Sequence, residues 1–209
     1  MNSTPPRLHT ATFMMGVTGA GKNTQIKKIL EKYPHLFAQC LSTKTRGFRP
    51  GEKDGVDFHK LSVEEFLQKI KEGYFLEWMQ DPETLEYYGT SMASLYNTLQ
   101  RFHAIKELEP IGFKDLLDQS PNFLYKGIFI DVPDDVIAQR AHERWGMDEE
   151  ELPKRLVKSQ TERKLIAELL VQWAPITVLN GNQPIASVTR RIEDILMAFP
   201  DNRKRHNRE

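Results

Sequence analysis

The run Gly16-Val17-Thr18-Gly19-Ala20-Gly21-Lys22-Asn23-Thr24 constrains this chain more than any other stretch. It follows a short apolar segment, Thr12 to Gly16, that reads as a strand, and it opens a helix predicted from about Lys22 to Lys32 that ends near Pro34. Three glycines let the backbone wrap closely and aim successive N–H groups at an anion. The helix start adds about half a positive charge at the same place, and Lys22 brings a point charge for outer phosphates. Strand, glycine loop and helix in this order predict a phosphate-binding loop made by Gly16, Thr18, Gly19, Ala20, Gly21, Lys22, Asn23 and Thr24. The usual pattern has Ser or Thr after the lysine. Asn23 offers no hydroxyl to Mg²⁺, which leaves Thr24 as the candidate metal-side hydroxyl, directly or through water.

The rest of the chain alternates. Strands are predicted at Phe37 to Ser42, Tyr74 to Met79, Leu85 to Gly89, Ala104 to Leu108, Ile128 to Val132 and Ile176 to Leu179. Helices are predicted after the capping box Ser62-Val63-Glu64-Glu65, over Ser91 to Phe102, from Gly112, from Asp134, from about Asp148 to Val171, and over Ile185 to Phe199. Such alternation means an α/β fold with a parallel sheet covered on both faces, whose ligands bind at the carboxyl ends of the strands. The predicted organisation is a three-layer αβα core over 11–41 and 100–199, a small mixed α/β insertion over 42–99, a lead-in over 1–10 and a basic tail over 200–209.

Charge and cysteine usage narrow the function. Lys+Arg and Asp+Glu balance at 29 each. Residues 1–60 nevertheless carry ten basic against four acidic side chains (+6), and 61–120 carry five against eleven (−6). A basic segment facing an acidic one is unlike a general nucleic-acid binder; it suits a site where cations hold phosphate and carboxylates hold donor groups. No stretch is long and apolar enough to span a bilayer, and the N-terminus does not read as a secretory signal. The single cysteine, Cys40, cannot form an internal disulfide, so a reducing, cytoplasmic setting is expected. The six histidines show no ligand spacing, so no protein-bound zinc is expected.

Within the insertion, Arg46 and Arg49 stand three apart beside the turn Pro50-Gly51 and present two planar forks suited to one phosphate. The segment Thr45-Arg46-Gly47-Phe48-Arg49-Pro50-Gly51-Glu52-Lys53-Asp54-Gly55, the strand Phe75-Leu76-Glu77-Trp78 and the run Tyr87-Tyr88-Gly89-Thr90 follow in that order. This combination resembles the guanylate kinase family from the phosphate loop through the last helix. The run Gly19 to Gln25 also resembles the adenylate kinase loop, where the residue after the lysine is likewise not a hydroxyl. The resemblance implies a phosphate-loop core, a nucleoside-monophosphate-binding insertion and a helical lid at about 140–158. ATP is the implied donor, with Mg²⁺, and GMP or dGMP the implied acceptor.

Carried over by position, the resemblance implies that Arg46, Arg49 and Tyr88 hold the GMP phosphate. Glu77 accepts from the guanine N1–H and exocyclic amine, and Thr90 and Ser42 meet the other base groups. A carboxylate facing two adjacent donors reads guanine and rejects adenine; left unpaired, it costs about 1–3 kcal/mol. Glu107 and Glu109 are candidates for the amine, the ribose or a metal-bound water. Phe58 stands where the family has a phosphate-binding tyrosine, and Pro110-Ile111-Gly112 replaces its Val-Gln-Gly. In the implied lid, Arg140, Arg144 and Arg155 match arginines that neutralise the transferring phosphoryl, with Trp145-Gly146 in place of Gly-Thr. Asn180 matches an adenine-side asparagine.

The expected activity is in-line phosphoryl transfer from ATP to GMP, with Lys22, Arg46, Arg49, Arg144 and Arg155 as the catalytic cations, in a monomer or homodimer without nucleic-acid or membrane partners. Two alternatives stand beside it: a guanylate-kinase-like protein-binding module, and a kinase of another phosphorylated acceptor such as a ribose bisphosphate.

Overall fold

The computed structural model describes residues 9–82, 84–119, 125–145, 151–172 and 174–198. Most of the lead-in, the tail and the Gly146 to Glu150 part of the expected lid lie outside them.

Strand β1 (Ala11–Gly16) is buried at all six positions and sits at the centre of a five-stranded parallel sheet. The sheet order is β2 (Phe37–Gln39), β7 (His103–Glu107), β1, β8 (Tyr125–Asp131) and β9 (Ile176–Asn180). The apolar run of β1 follows from this position, because both of its faces are covered. Helix α1 (Lys22–Lys32) packs against α7 (Ile185–Met197), whereas α4 (Pro110–Gln119) packs against α6 (Glu151–Val171), which also meets α5 (Asp134–Trp145). The fold is α/β with a parallel sheet, as the alternation predicts.

A second, mixed sheet has the order β4 (Phe58–Lys60), β3 (Ser42–Lys44), β6 (Tyr87–Ser91) and β5 (Phe75–Gln80). Its helix α2 (Val63–Lys71) opens with the expected capping box: Ser62 accepts from the Glu65 amide, and the Glu65 carboxylate accepts from the Ser62 amide. Phe66 of α2 stacks on Phe75 with ring centroids 4.2 Å apart and fixes the helix to β5. Helix α3 (Met92–Leu99) leads back to β7, with Ser91 as its N-cap.

The strand predicted over Leu85 to Gly89 lies two residues later, over Tyr87–Ser91, and two further expectations change. The strand predicted over Phe37 to Ser42 is two strands, because β2 pairs with β7 in the parallel sheet and β3 pairs with β4 and β6 in the other. Helix α4 begins at Pro110 rather than Gly112; proline suits a first helical position, where its missing N–H leaves nothing unsatisfied.

Candidate active site

The carboxyl ends of β1 and β7 and the inner face of the second sheet enclose a cleft of about 380 Å³. On its β1 side the phosphate loop supplies mostly main chain. Gly21 takes a left-handed φ of 90° and caps α1. Gly16 has φ 155°, and a Cβ there would lie 2.4 Å from the Ile130 carbonyl oxygen, so this close crossing of β1 and β8 admits only glycine. Lys22 folds back on its own loop: Nζ donates to the Gly16 carbonyl at 2.7 Å and stands 3.7 Å from a Glu107 carboxylate oxygen. Asn23 and Thr24 are exposed on the first turn of α1.

Arg140 lies beside the loop. Its guanidinium donates to the Gly19 carbonyl at 2.9 Å and to the Gly181 carbonyl at 3.2 Å, joining the loop to the turn after β9. In that turn Asn180 accepts from the Asn182 amide at 2.8 Å. Arg155, on α6, stands 3.7 Å from Glu151 one turn back and does not line the cleft. Arg144 belongs to α5, but its side chain lies outside the described residues.

The opposite wall is made of side chains. Glu77 is only 7% exposed, and its carboxylate accepts from the Thr90 hydroxyl, itself fully buried. An irregularity in the β5–β6 pairing between Phe75 and Glu77 explains the inward aim: Phe75, Leu76 and Glu77 are all buried in succession, where a regular strand alternates. The other oxygen of Glu77 would be 3.1 Å from a Cβ on Gly112, so the first turn of α4 closes on the carboxylate. Burial pushes the Glu77 carboxyl above its ordinary range, while the Lys106 ammonium and the Thr90 hydroxyl pull it back.

Next to Glu77, Lys106 of β7 is buried and donates to the Ser42 hydroxyl. Lys44 faces the rings of Phe58 and Tyr88 at 5.2 and 5.7 Å, and its ammonium is lowered by burial and by the Arg46 and Lys106 charges. Arg46 makes a two-pronged contact with Glu52, both N···O distances 2.7 Å, and lies 4.7 Å from the Phe58 ring centroid. Glu52 also accepts from the Arg49 amide at 2.8 Å, and these contacts hold its carboxyl down at about 2. The Arg49 side chain is exposed. Tyr88 donates from its hydroxyl to Glu86 at 2.9 Å.

Of the residues expected from sequence, Gly16, Thr18, Lys22, Ser42, Glu77, Tyr88, Glu107 and Glu109 line one cleft, with Thr90 bonded to Glu77 behind the wall. Gly19, Ala20, Gly21, Asn23, Thr24, Arg46, Arg49, Arg140, Arg155 and Asn180 are not part of its lining. Sequence reasoning missed Lys44, Lys106, Lys158 and Glu162. Lys158 pairs with Glu109 at 2.7 Å. Glu162 has a buried oxygen with no hydrogen-bond partner, and burial raises its carboxyl to about 7 against the pull of Lys158 and Lys22. A lysine in an apolar strand, Lys106, was the readable signal of this group.

A cleft with a main-chain phosphate loop at one wall and a buried carboxylate at the other defines a nucleotide phosphotransferase. A family model described as guanylate kinase matches residues 9–180. A guanylate kinase of Prochlorococcus marinus is 33% identical over 151 residues, covering 71% of this chain and 79% of that one. Another from Streptococcus thermophilus is 32% identical over 182 residues, covering 85% and 83%. The crystal structure of guanylate kinase from Anaplasma phagocytophilum superposes with a TM-score of 0.65 at 21% identity, covering 91% of this chain and 86% of that one, and shows the same fold. The chain belongs to the guanylate kinase family of enzymes.

Proposed function

We propose that the protein transfers the terminal phosphoryl group of ATP to GMP or dGMP. The observation that carries this reading is Glu77: a buried carboxylate held by Thr90 in the wall of the cleft that the phosphate loop and Lys22 open into. The carboxylate meets the guanine N1–H and 2-amino group, and Ser42 borders the base beside it. Arg46, Arg49 and Tyr88 receive the acceptor phosphate once Arg46 exchanges Glu52 for it, with Lys44 alongside. Phe58 has no hydroxyl for that phosphate; its ring instead faces the Lys44 and Arg46 cations.

On the donor side the loop amides and Lys22 hold the triphosphate, which replaces the Gly16 carbonyl as the partner of Nζ. Arg140 and Asn180 border the nucleoside, and Arg144 and Arg155 come from the lid at about 140–158. The acceptor unit is the 42–99 insertion. Phosphate oxygens need little general-base help, so the work of these side chains is to align the acceptor oxygen with the γ-phosphorus, spread charge and exclude water.

Among the described residues, no group of three or more His, Cys, Asp or Glu side chains is arranged to hold a metal ion. Glu107, whose carboxylate stands 3.7 Å from Lys22, and the hydroxyl of Thr24 on the first turn of α1 are oxygen donors of the kind that would suit a hard cation arriving with the triphosphate and keeping several waters. Mg²⁺ bound there supplies charge neutralisation to the phosphates. Cys40 is buried and unpaired, which agrees with a cytoplasmic setting, and we expect a monomer or homodimer.

An ADP-release assay with ATP against GMP, dGMP, AMP, UMP and ribose bisphosphate tests the reading. Turnover with GMP and dGMP alone is expected; turnover with ribose bisphosphate, or none with any acceptor by folded protein, overturns it.

A further inference from the structure

Lys106 is only 3% exposed on β7, a strand of the parallel sheet paired to both β1 and β2. Such a position ordinarily holds an apolar side chain, and an ammonium taken out of water is costly unless its protons and charge are matched. Here they are matched only in part. Among the described residues the hydrogen-bond partner of Nζ is the Ser42 hydroxyl, one acceptor for three protons. Its charge also crowds Lys44, which already feels Arg46. A methionine there would spare the fold this strain. The lysine does, however, line the cleft beside Glu77 and attracts that carboxylate.

Donor and acceptor side by side form a pattern. The pairing edge of guanine offers an oxygen acceptor at position 6 next to its N1–H and 2-amino donors, whereas adenine offers an amino donor at position 6. We propose that Lys106 is a specificity-determining residue that reads the acceptor base, its ammonium donating to the 6-oxygen while Glu77 accepts from the neighbouring N1–H and 2-amino group. This inference rests on the GMP reading above. It adds a second ground for rejecting adenine, since the 6-amino group would face an ammonium and a carboxylate would face an unprotonated ring nitrogen.

The test compares GMP with its 6-thio analogue, whose sulfur is the poorer acceptor, in the wild type, K106M and K106Q. The wild type is expected to favour GMP over the analogue by about tenfold in kcat/KM. K106M is expected to lose about 10- to 100-fold on GMP, chiefly through KM, and to show less than about twofold preference between the two. K106Q keeps an N–H donor and recovers part of both. Loss of equal proportion on GMP and analogue, with the preference intact, means that Lys106 only supports Ser42 and overturns the proposal. Absence of the preference in the wild type overturns it as well. If K106M does not fold by circular dichroism, K106Q is judged by the same ratio. A wild type that turns over neither nucleotide defeats the GMP reading itself, an outcome distinct from turnover with an unchanged ratio.

Discussion

The two walls of the cleft are built from different materials. The phosphate-loop wall is main chain positioned by glycine conformations and one strap from Arg140, and the side chains after Lys22, Asn23 and Thr24, point to solvent. The base wall is side chains positioned by one another: Glu77 by Thr90 and Lys106 by Ser42. The first wall therefore tolerates an unusual side chain but not an added Cβ; the second tolerates little change of polar groups.

The sharpest way to break this division is Gly16→Ala. A Cβ 2.4 Å from the Ile130 oxygen at φ 155° forces β1 and β8 apart. The expected cost is about 3 kcal/mol or more, seen as a fall of about 10 °C in the thermal midpoint. A melt unchanged from wild type would contradict the main-chain account of that wall.

Glu77→Gln addresses the other wall. It keeps the shape but leaves the buried Lys106 ammonium without its facing charge, so the melt is expected to fall by less than the about 10 °C of Gly16→Ala while kcat/KM for GMP falls about 100-fold in the ADP-release assay. A comparable fall in the melt would mean that Glu77 supports the fold instead.

Glu162 stands between the walls. Its native carboxyl, raised to about 7 from an ordinary 4.5, holds a proton that the unfolded chain has already lost in that interval. Its contribution is thus fully present below about pH 4.5 and disappears as pH rises through about 7. Glu162→Gln is expected to match wild type near pH 4.5 and to be about 2 kcal/mol more stable at pH 8, read by urea unfolding across that range. A pH-independent difference would refute the burial of this charge.

The smallest effect belongs to Asn23→Ser. Restoring the hydroxyl is expected to change triphosphate affinity, measured by titration with and without magnesium, by no more than about threefold. A larger gain would show that side chains matter on the phosphate wall after all.

How far the sequence announced these walls follows the same division. Loop, strand and helix around Lys22 are local, and the bounds of α1 and the Ser62–Glu65 capping box follow from neighbours in the chain. The break between β2 and β3 was not legible, since two residues separate strands whose partners lie in different sheets. Strand β4, three residues long, carries too short a pattern to show. Lys44 carries no local signal, because its burial depends on the two sheets closing over it; Lys106 stands out only as a cation within an apolar strand, and the Arg46–Glu52 pairing depends on a turn geometry that spacing alone leaves open.

Arg140 ties the carbonyls of Gly19 and Gly181 with a single guanidinium, although those two glycines lie far apart in the chain. The curvature of the loop is thereby set before any anion arrives, and little ordering entropy remains to be lost at capture. It also makes α5 a lever: a tilt of that helix tugs directly on the peptide groups that meet the ligand.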